Sequence, residues 1–291
     1  MPMPRGLDHL VHLVRDLDAA GELYDLLGFT VGPRNHHPWG THNRIVQLPG
    51  FFIELLEVAE PAKIPEPTDR QFSFGAFNRD FLARNGQGFS MLALEGTDPQ
   101  GDRDAFAAAG YGDVEVFDFS RNARRPDGQD VEVGFSLAFA MEPDAPNAAF
   151  FTVKQLRPEN FWIPDMQRHA NGATGVAGIV LVAEQPADHT GFVQALCGIA
   201  PRRATDDWYV TQTPRGDIDI MTRAVFAERF GGPPPAGDDL RIGAVRFVSP
   251  GTDSMRRGLA ARRMIEEKIA GLVVVPPNAA MGGVLVFDRP A

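Results

Sequence analysis

Leu7-Asp-His-Leu-Val-His-Leu-Val14, followed by Leu27-Gly-Phe-Thr-Val31 and Phe51-Phe-Ile-Glu-Leu-Leu56, reads as a strand, a helix exit and a further strand. Between the first two, Asp16 or Asp18 is placed to cap a helix whose apolar positions Leu17, Ala20, Tyr24 and Leu27 share one face, and Gly28 ends it. A strand over 41–48 meets the next at Pro49-Gly50. Side chains alternate along a strand, so Phe52, Glu54 and Leu56 point one way while Phe51, Ile53 and Leu55 point the other. Both sides are apolar, which puts the strand in a covered sheet. Glu54 is then a carboxylate away from water, a costly placement unless it has a partner or holds a proton. His9 is the candidate partner, directly or through a metal ion.

The pattern returns. A strand at 89–94, a helix at 103–109 and strands at 114–119, 131–139 and 150–155 form a second unit. A third has a strand at 176–183, a helix starting near Pro186, and strands at 208–211 and 217–222. A fourth begins at 242–248, with a helix over 254–261 and a last strand at 283–287. The helix-ending glycines Gly28, Gly110 and Gly198 are spaced by 82 and 88 residues, a repeat that signals fold. The segment 158–172 carries two prolines and no period, and reads as a linker between an N-terminal domain, 1–157, and a C-terminal domain, 173–291. Phe161 and Trp162 in it need something to pack on.

The 291 residues suffice for two cores. A net charge of -10 argues against nucleic-acid and anionic-membrane partners. No apolar run reaches the ~20 residues of a membrane helix, and Met1-Pro-Met-Pro-Arg5 has no secretory apolar segment. A single cysteine, Cys197, excludes an intrachain disulfide and fits a reducing cytoplasm. No glycine-rich phosphate loop is present, so no nucleotide cofactor is expected; Gly282-Gly283 and Gly231-Gly232 lack the strand-to-helix context.

Four units of strand, helix and three strands, paired as two domains, resemble the vicinal oxygen chelate superfamily, and within it the glyoxalase-like domain branch. The residues that carry the resemblance are Leu7-Asp-His-Leu-Val11, Leu27-Gly-Phe-Thr-Val31, the loop His36-His-Pro-Trp-Gly-Thr-His-Asn-Arg44, the strand around Glu54, and Pro158-Glu-Asn-Phe-Trp with Gln167-Arg-His-Ala-Asn-Gly172. The resemblance implies an α+β fold of four βαβββ units with cupped mixed sheets. It implies a ligand from the first and last strands of each unit, hence His9 and Glu54 in the first, binding Zn, Ni, Mn or Fe. The second unit departs from the pattern, with Phe89 at the expected histidine position and no carboxylate in its last strand. The C-terminal pair offers Gly178, Gly243 or Ala244, with Asp219 the lone acid in register with Glu54. That pair reads as a scaffold without the iron site of the extradiol dioxygenases, which the length and plan also resemble.

The expected function is that of a metal-dependent lyase or isomerase of a small oxygenated substrate, with Glu54 as ligand and catalytic base. The alternative is a metal-free protein that sequesters a small molecule in a cup lined by some of the 21 phenylalanines, of the bleomycin-resistance type. An extradiol-type dioxygenase is a third reading. Trp39, Thr41, Asn43, Phe89 and Trp162 are expected to line the pocket. On the strand from Thr41, either Thr41, Asn43, Ile45 and Gln47 or His42 and Arg44 face the cup. His36 and His37 read first as a solvated loop, although either would complete a two-histidine, one-carboxylate set. His12 is expected under the helix. Arg121, Arg124 and Arg125 in a hairpin tip suit either an acidic ligand or an exposed turn. Arg168 and His169 suit either the cup or structural capping. Cys197 is expected in the core, and a homodimer is compatible with the superfamily.

Overall fold

The structure, a computed structural model, describes residues 3–124, 128–250, 259–260, 264–265 and 272–288. Strand β1 (Leu7–Val14) leads into helix α1 (Leu17–Leu26), whose cap Asp16 accepts from the amides of Asp18 and Ala19 and whose Leu17, Ala20 and Tyr24 are buried. The chain leaves α1 through Gly28 at φ +82°, a left-handed turn that favours glycine. Strands β2 (Asn35–His36), β3 (Thr41–Leu48) and β4 (Phe51–Val58) complete the first unit. The second comprises β5 (Gly88–Glu95), α3 (Pro99–Ala108), β6 (Phe117–Arg124), β7 (Asp130–Ala140) and β8 (Ala149–Gln155), with helix α2 (Phe74–Asn85) before it. After a short helix, α4 (Pro158–Phe161), come β9 (Gly175–Val182), α5 (Thr190–Cys197), β10 (Arg202–Thr205), β11 (Trp208–Gln212) and β12 (Asp217–Met221). Helix α6 (Arg223–Phe230) precedes β13 (Arg241–Val248), β14 (Val273–Val275) and β15 (Val284–Asp288). The helix expected at 254–261 lies outside the described residues except for 259–260, which are helical.

Two mixed sheets result, ordered β2-β3-β4-β1-β5-β8-β7-β6 and β10-β11-β12-β9-β13-β15-β14. In every unit the first and last strands pair in parallel, and the first strands of paired units run antiparallel. Each sheet is thus two units related by a local two-fold, as expected of four βαβββ units forming two cups.

The outer faces of the two sheets share one core. Leu10, Ile53, Leu92 and Phe150 of the first sheet join Ile179, Val245, Phe247 and Phe287 of the second, with Tyr24, Phe106 and Phe192 of α1, α3 and α5 between them. Gly282 and Gly283 belong to this contact: a Cβ on Gly282 would lie 2.0 Å from the carbonyl oxygen of Gln87, and one on Gly283 would meet the ring of Phe89 at 2.4 Å. The C-terminal half also holds the start of β1. Arg5 N donates to Cys197 O (2.9 Å), Leu7 N to Arg215 O (3.0 Å), and Arg215 Nη1 to Leu7 O (3.0 Å). No helix of the described residues is long and apolar enough to cross a membrane.

The inner faces form separate clusters. The first cup gathers Val11, Phe52, Leu56, Met91, Phe139 and Phe151 beneath Phe74 and Phe81 of α2. The second gathers Val180, Met221, Ala244, Val274 and Val286 beneath Phe226 and Phe230 of α6. Both covering helices begin on a hydroxyl cap, Ser73 Oγ accepting from Ala76 N and Thr222 Oγ1 from Val225 N.

Candidate functional site

The register explains which side chains enter the first cup. Where β1 meets β5, Leu7 pairs with Leu94 and His9 with Ala93, so Asp8 is an extra residue in β1; Val11 pairs with Met91 and His12 with Phe89, so Ser90 is an extra residue in β5. Each bulge turns the residue before it to the opposite face. Leu7 and Phe89 therefore sit in the shared core, while His9 and Met91 face the cup. The expectation that Phe89 lines the pocket is corrected: its ring packs 4.8 Å from His12 on the far side of the sheet.

Parallel pairing aligns the four units. Val11 faces Glu54 and His9 faces Phe52; in the second unit Ala93 faces Phe151 and Met91 faces Ala149. Met91, and not Phe89, stands where His9 stands, and Phe151 stands where Glu54 stands. The same alignment places Gly178 with Asp219, and Ala244 with Val286, in the third and fourth units. Both donor positions carry donors in the first unit alone. Asp219 is held by Trp208 Nε1 (2.7 Å) and Arg246 Nη1 (3.0 Å), so the acid in register with Glu54 is taken up by internal pairing.

The bulge at Asp8 also lets neighbouring side chains meet. His9 Nδ1 lies 2.7 Å from Asp8 Oδ1, and Gln155 Nε2 donates to Asp8 Oδ2 at 2.9 Å from the last strand of the second unit. With Nδ1–H given to the carboxylate, Nε2 is left to the cup. The ring stacks on Phe52 at 4.3 Å and abuts the edge of Phe151 at 5.3 Å.

Glu54 is 6% exposed, and Oε1 accepts from Asn43 Nδ2 at 2.6 Å. Burial raises its proton affinity above the ordinary 4.5, opposed by the charge of His9, the Asn43 hydrogen bond and the charge of Arg121. The second amide hydrogen of Asn43 reaches His37 Nε2 (3.3 Å), so that nitrogen accepts and Nδ1–H donates to Thr41 Oγ1 (2.8 Å). Burial, with help from the charges of Arg121, His42 and His36, pulls His37 down to about 3. The 3.9 Å separation of His37 Nε2 and Glu54 Oε1 is therefore not an ion pair at neutral pH.

Of the residues expected in the pocket, His9, Glu54, Trp39 and Asn43 line one cavity, with Ile45 on the same face of β3. His42 and Arg44 face outward and pair with Glu60 and Asp18. Thr41 lies beneath His37 and anchors it. Trp162 stands outside, 6.0 Å from Phe52, along a separate open groove. The reading of His37 as solvated loop is also corrected: it is buried and stacks on Trp39 at 4.6 Å, while His36 is exposed and contacts His42. His169 caps the linker, donating from Nε2 to Gln47 O (2.7 Å) and accepting at Nδ1 from Thr30 N (3.0 Å). Arg168 pairs with Asp165 in the open. His12 and Cys197 are buried in the core as expected. Arg121 lines the cavity and Arg124 an adjoining chamber, whereas Arg125 lies outside the described residues.

Sequence reading missed Phe74, Phe119, Phe135 and Phe161 on the cavity wall and Asp8 behind His9. A signal for α2 was available: Ser73 as cap, Phe74, Phe77 and Phe81 on one helical face, and Gly86 at the end.

A family model described as a glyoxalase-like domain matches residues 7–197. No curated protein matches the chain. Among solved structures, it is similar to a hypothetical protein from Staphylococcus aureus (12% identity, 98% of this chain and 100% of that one, TM-score 0.67). It is similar to a Mn(II)-bound glyoxalase from Novosphingobium aromaticivorans (13% identity, 99% and 83%, TM-score 0.55). It is similar too to a mutant 4-hydroxymandelate synthase from Streptomyces coelicolor (8% identity, 99% and 93%, TM-score 0.59). At these identities the likeness is one of fold.

Proposed function

The chain belongs to the glyoxalase-like domain family, and from that premise we propose that its N-terminal cup is a proton-transfer site of the isomerase or lyase class for a small oxygenated substrate. The observation that carries this is the pairing, in one aromatic cavity, of a buried carboxylate with raised proton affinity and a histidine backed by its own carboxylate. A cup that only sequesters an apolar molecule has no need of either, and each is destabilising without water. In this reading Glu54 takes a proton from the hydroxyl-bearing carbon beside a carbonyl and returns it to the carbonyl carbon. His9, with Asp8 behind it, gives a proton to the carbonyl oxygen as charge develops there and recovers one from the neighbouring hydroxyl as the new carbonyl forms. Asn43 fixes the carboxylate, and neutral His37 fixes Asn43.

A divalent ion is the second reading, favoured by the Asp8–His9 bond, an arrangement that commonly orients a metal-ligating imidazole. The donor set fits only in part. His9 and Glu54 line the cavity, but no three His, Cys, Asp or Glu side chains among the described residues converge on one point. If bound, the ion would polarise a substrate oxygen. No step above depends on it.

The test is hydrogen exchange in deuterated water over a panel of small α-hydroxyketones and α-ketoaldehyde–thiol adducts. The wild type is expected to exchange the α-hydrogen of at least one compound, and Glu54→Gln to slow that exchange ~100-fold or more. No exchange with any compound, or exchange indifferent to Glu54→Gln, overturns the reading in favour of sequestration. Elemental analysis of protein purified without chelators, beside His9→Ala, decides the ion: a stoichiometric metal lost in the variant supports it.

A further inference from the structure

The inner cavity has a volume of only about 40 Å³, room for a head group of a few heavy atoms. Against it lies an outer chamber of about 410 Å³, lined by Pro33, Val131, Val133, Ile163 and Met166. The two share Ile45, Arg121 and Phe161 as walls, so a ligand that reaches Glu54 from the chamber passes Arg121.

Arg121 feels the charge of Glu54 only from beyond ion-pair distance. No carboxylate among the described residues lies within 4.0 Å of its guanidinium, whereas Arg34, Arg44 and Arg79 nearer the surface all have one. Among the described residues Arg121 meets neutral oxygens through Nη1: Asn35 Oδ1 at 3.2 Å and, at the limit of a hydrogen bond, Asn122 O at 3.5 Å. Its Nε is buried without an acceptor, and so is Nε1 of Trp39, which lines the same cavity. A buried donor left unpaired is costly, more so when charged, and two lining one cavity make a site short of acceptors. A larger groove, about 670 Å³, opens on the far side of Asp8, but its cations are already matched, Arg5 to Asp102 and Arg215 to Glu95.

We propose that the ligand of this cup is an organic acid, its carboxylate seated against Arg121 and Trp39 at the inner cavity and its apolar or aromatic body filling the outer chamber. This deepens the proton-transfer reading and rests on the same cavity, but it concerns recognition and not turnover. The carboxylate supplies the acceptors that Arg121 Nε and Trp39 Nε1 lack. The body replaces water along an apolar wall, where each buried methylene adds to affinity.

Isothermal titration with unreactive probes tests it: phenylacetate, 4-phenylbutyrate and the uncharged 4-phenylbutyramide. We expect 4-phenylbutyrate to bind more tightly than phenylacetate, and at least tenfold more tightly than its amide. Arg121→Gln is expected to weaken the acid ~10- to 100-fold and leave the amide unchanged, with Arg121→Lys between wild type and Gln. Thermal melts establish that both variants are folded. Glu54→Gln is expected to keep the acid bound, so loss of exchange activity with intact acid binding defeats neither claim, and acid binding without any exchange defeats the proton-transfer reading alone. Failure of both acids to bind, equal affinity for acid and amide, or acid affinity untouched in Arg121→Gln overturns the proposal.

Discussion

Asp8 is next to His9 in sequence and would point away from it in a regular strand; only the extra residue in β1 brings its carboxylate to Nδ1. Replacing Asp8 by Asn removes the charge that holds the ring and admits the other tautomer. We expect Asp8→Asn to lower kcat 10- to 100-fold with little change in thermal stability, measured on whichever substrate the exchange panel yields. Glu54 carries the opposite signature. Its proton affinity is raised in the fold, so the folded state binds the extra proton in the interval above 4.5, and stability falls as pH rises through the folded value. Glu54→Gln carries no such penalty. The variant is expected to melt at a higher temperature than wild type at pH 7–8, with the gain shrinking as pH drops toward 4.5. An equal or lower melting temperature at neutral pH would mean the carboxylate is stabilised by its partners more than burial penalises it.

At the scale of strands, alternation was legible and register was not. The split of Phe52, Glu54 and Leu56 from Phe51, Ile53 and Leu55 followed from a period of two, and both sets lie where that period puts them. The place of Phe89 did not follow, because a one-residue bulge at Ser90 leaves no mark in composition yet reverses every face beyond it. The two-fold within the first sheet turns this into a prediction. Met91 and Phe151 occupy the places of His9 and Glu54, so Met91→His together with Phe151→Glu would give the cup a donor at all four positions. The double variant is expected to take up one equivalent of Mn(II) or Ni(II), by titration, more tightly than wild type. The buried Phe151 is lost, so a fall in stability of ~3–5 kcal/mol without metal is expected alongside, partly recovered when the ion binds.

Across the whole molecule, the repeat was readable from helix-ending glycines, but the helices that cover the cups were not read, and they decide what each cup can hold. Phe226 and Phe230 of α6 sit in the second, where Asp219 is matched by Arg246; α2 covers the first without displacing Glu54. The two halves meet through His12, whose Nδ1 accepts from the Tyr24 hydroxyl (2.9 Å) and whose Nε2 donates to Met281 O (3.0 Å). Burial holds it down at about 4 against the ordinary 6.5, so the unfolded chain binds the proton first and stability declines as pH falls from 6.5 toward 4. His12→Gln is expected to flatten that acid limb by up to ~3 kcal/mol in denaturant unfolding at pH 4–6.5. One more consequence follows from the hydrogen bonds that Cys197 and Arg215 make to the residues just before Asp8. They make the pocket a poor candidate for transplantation: a gene trimmed at the apparent boundary near 157 would keep the side chains of the cavity except Phe161 and discard the clamp that seats His9. Anyone wishing to graft, display or redesign this site should carry the second half with it, as the jig that sets the alignment.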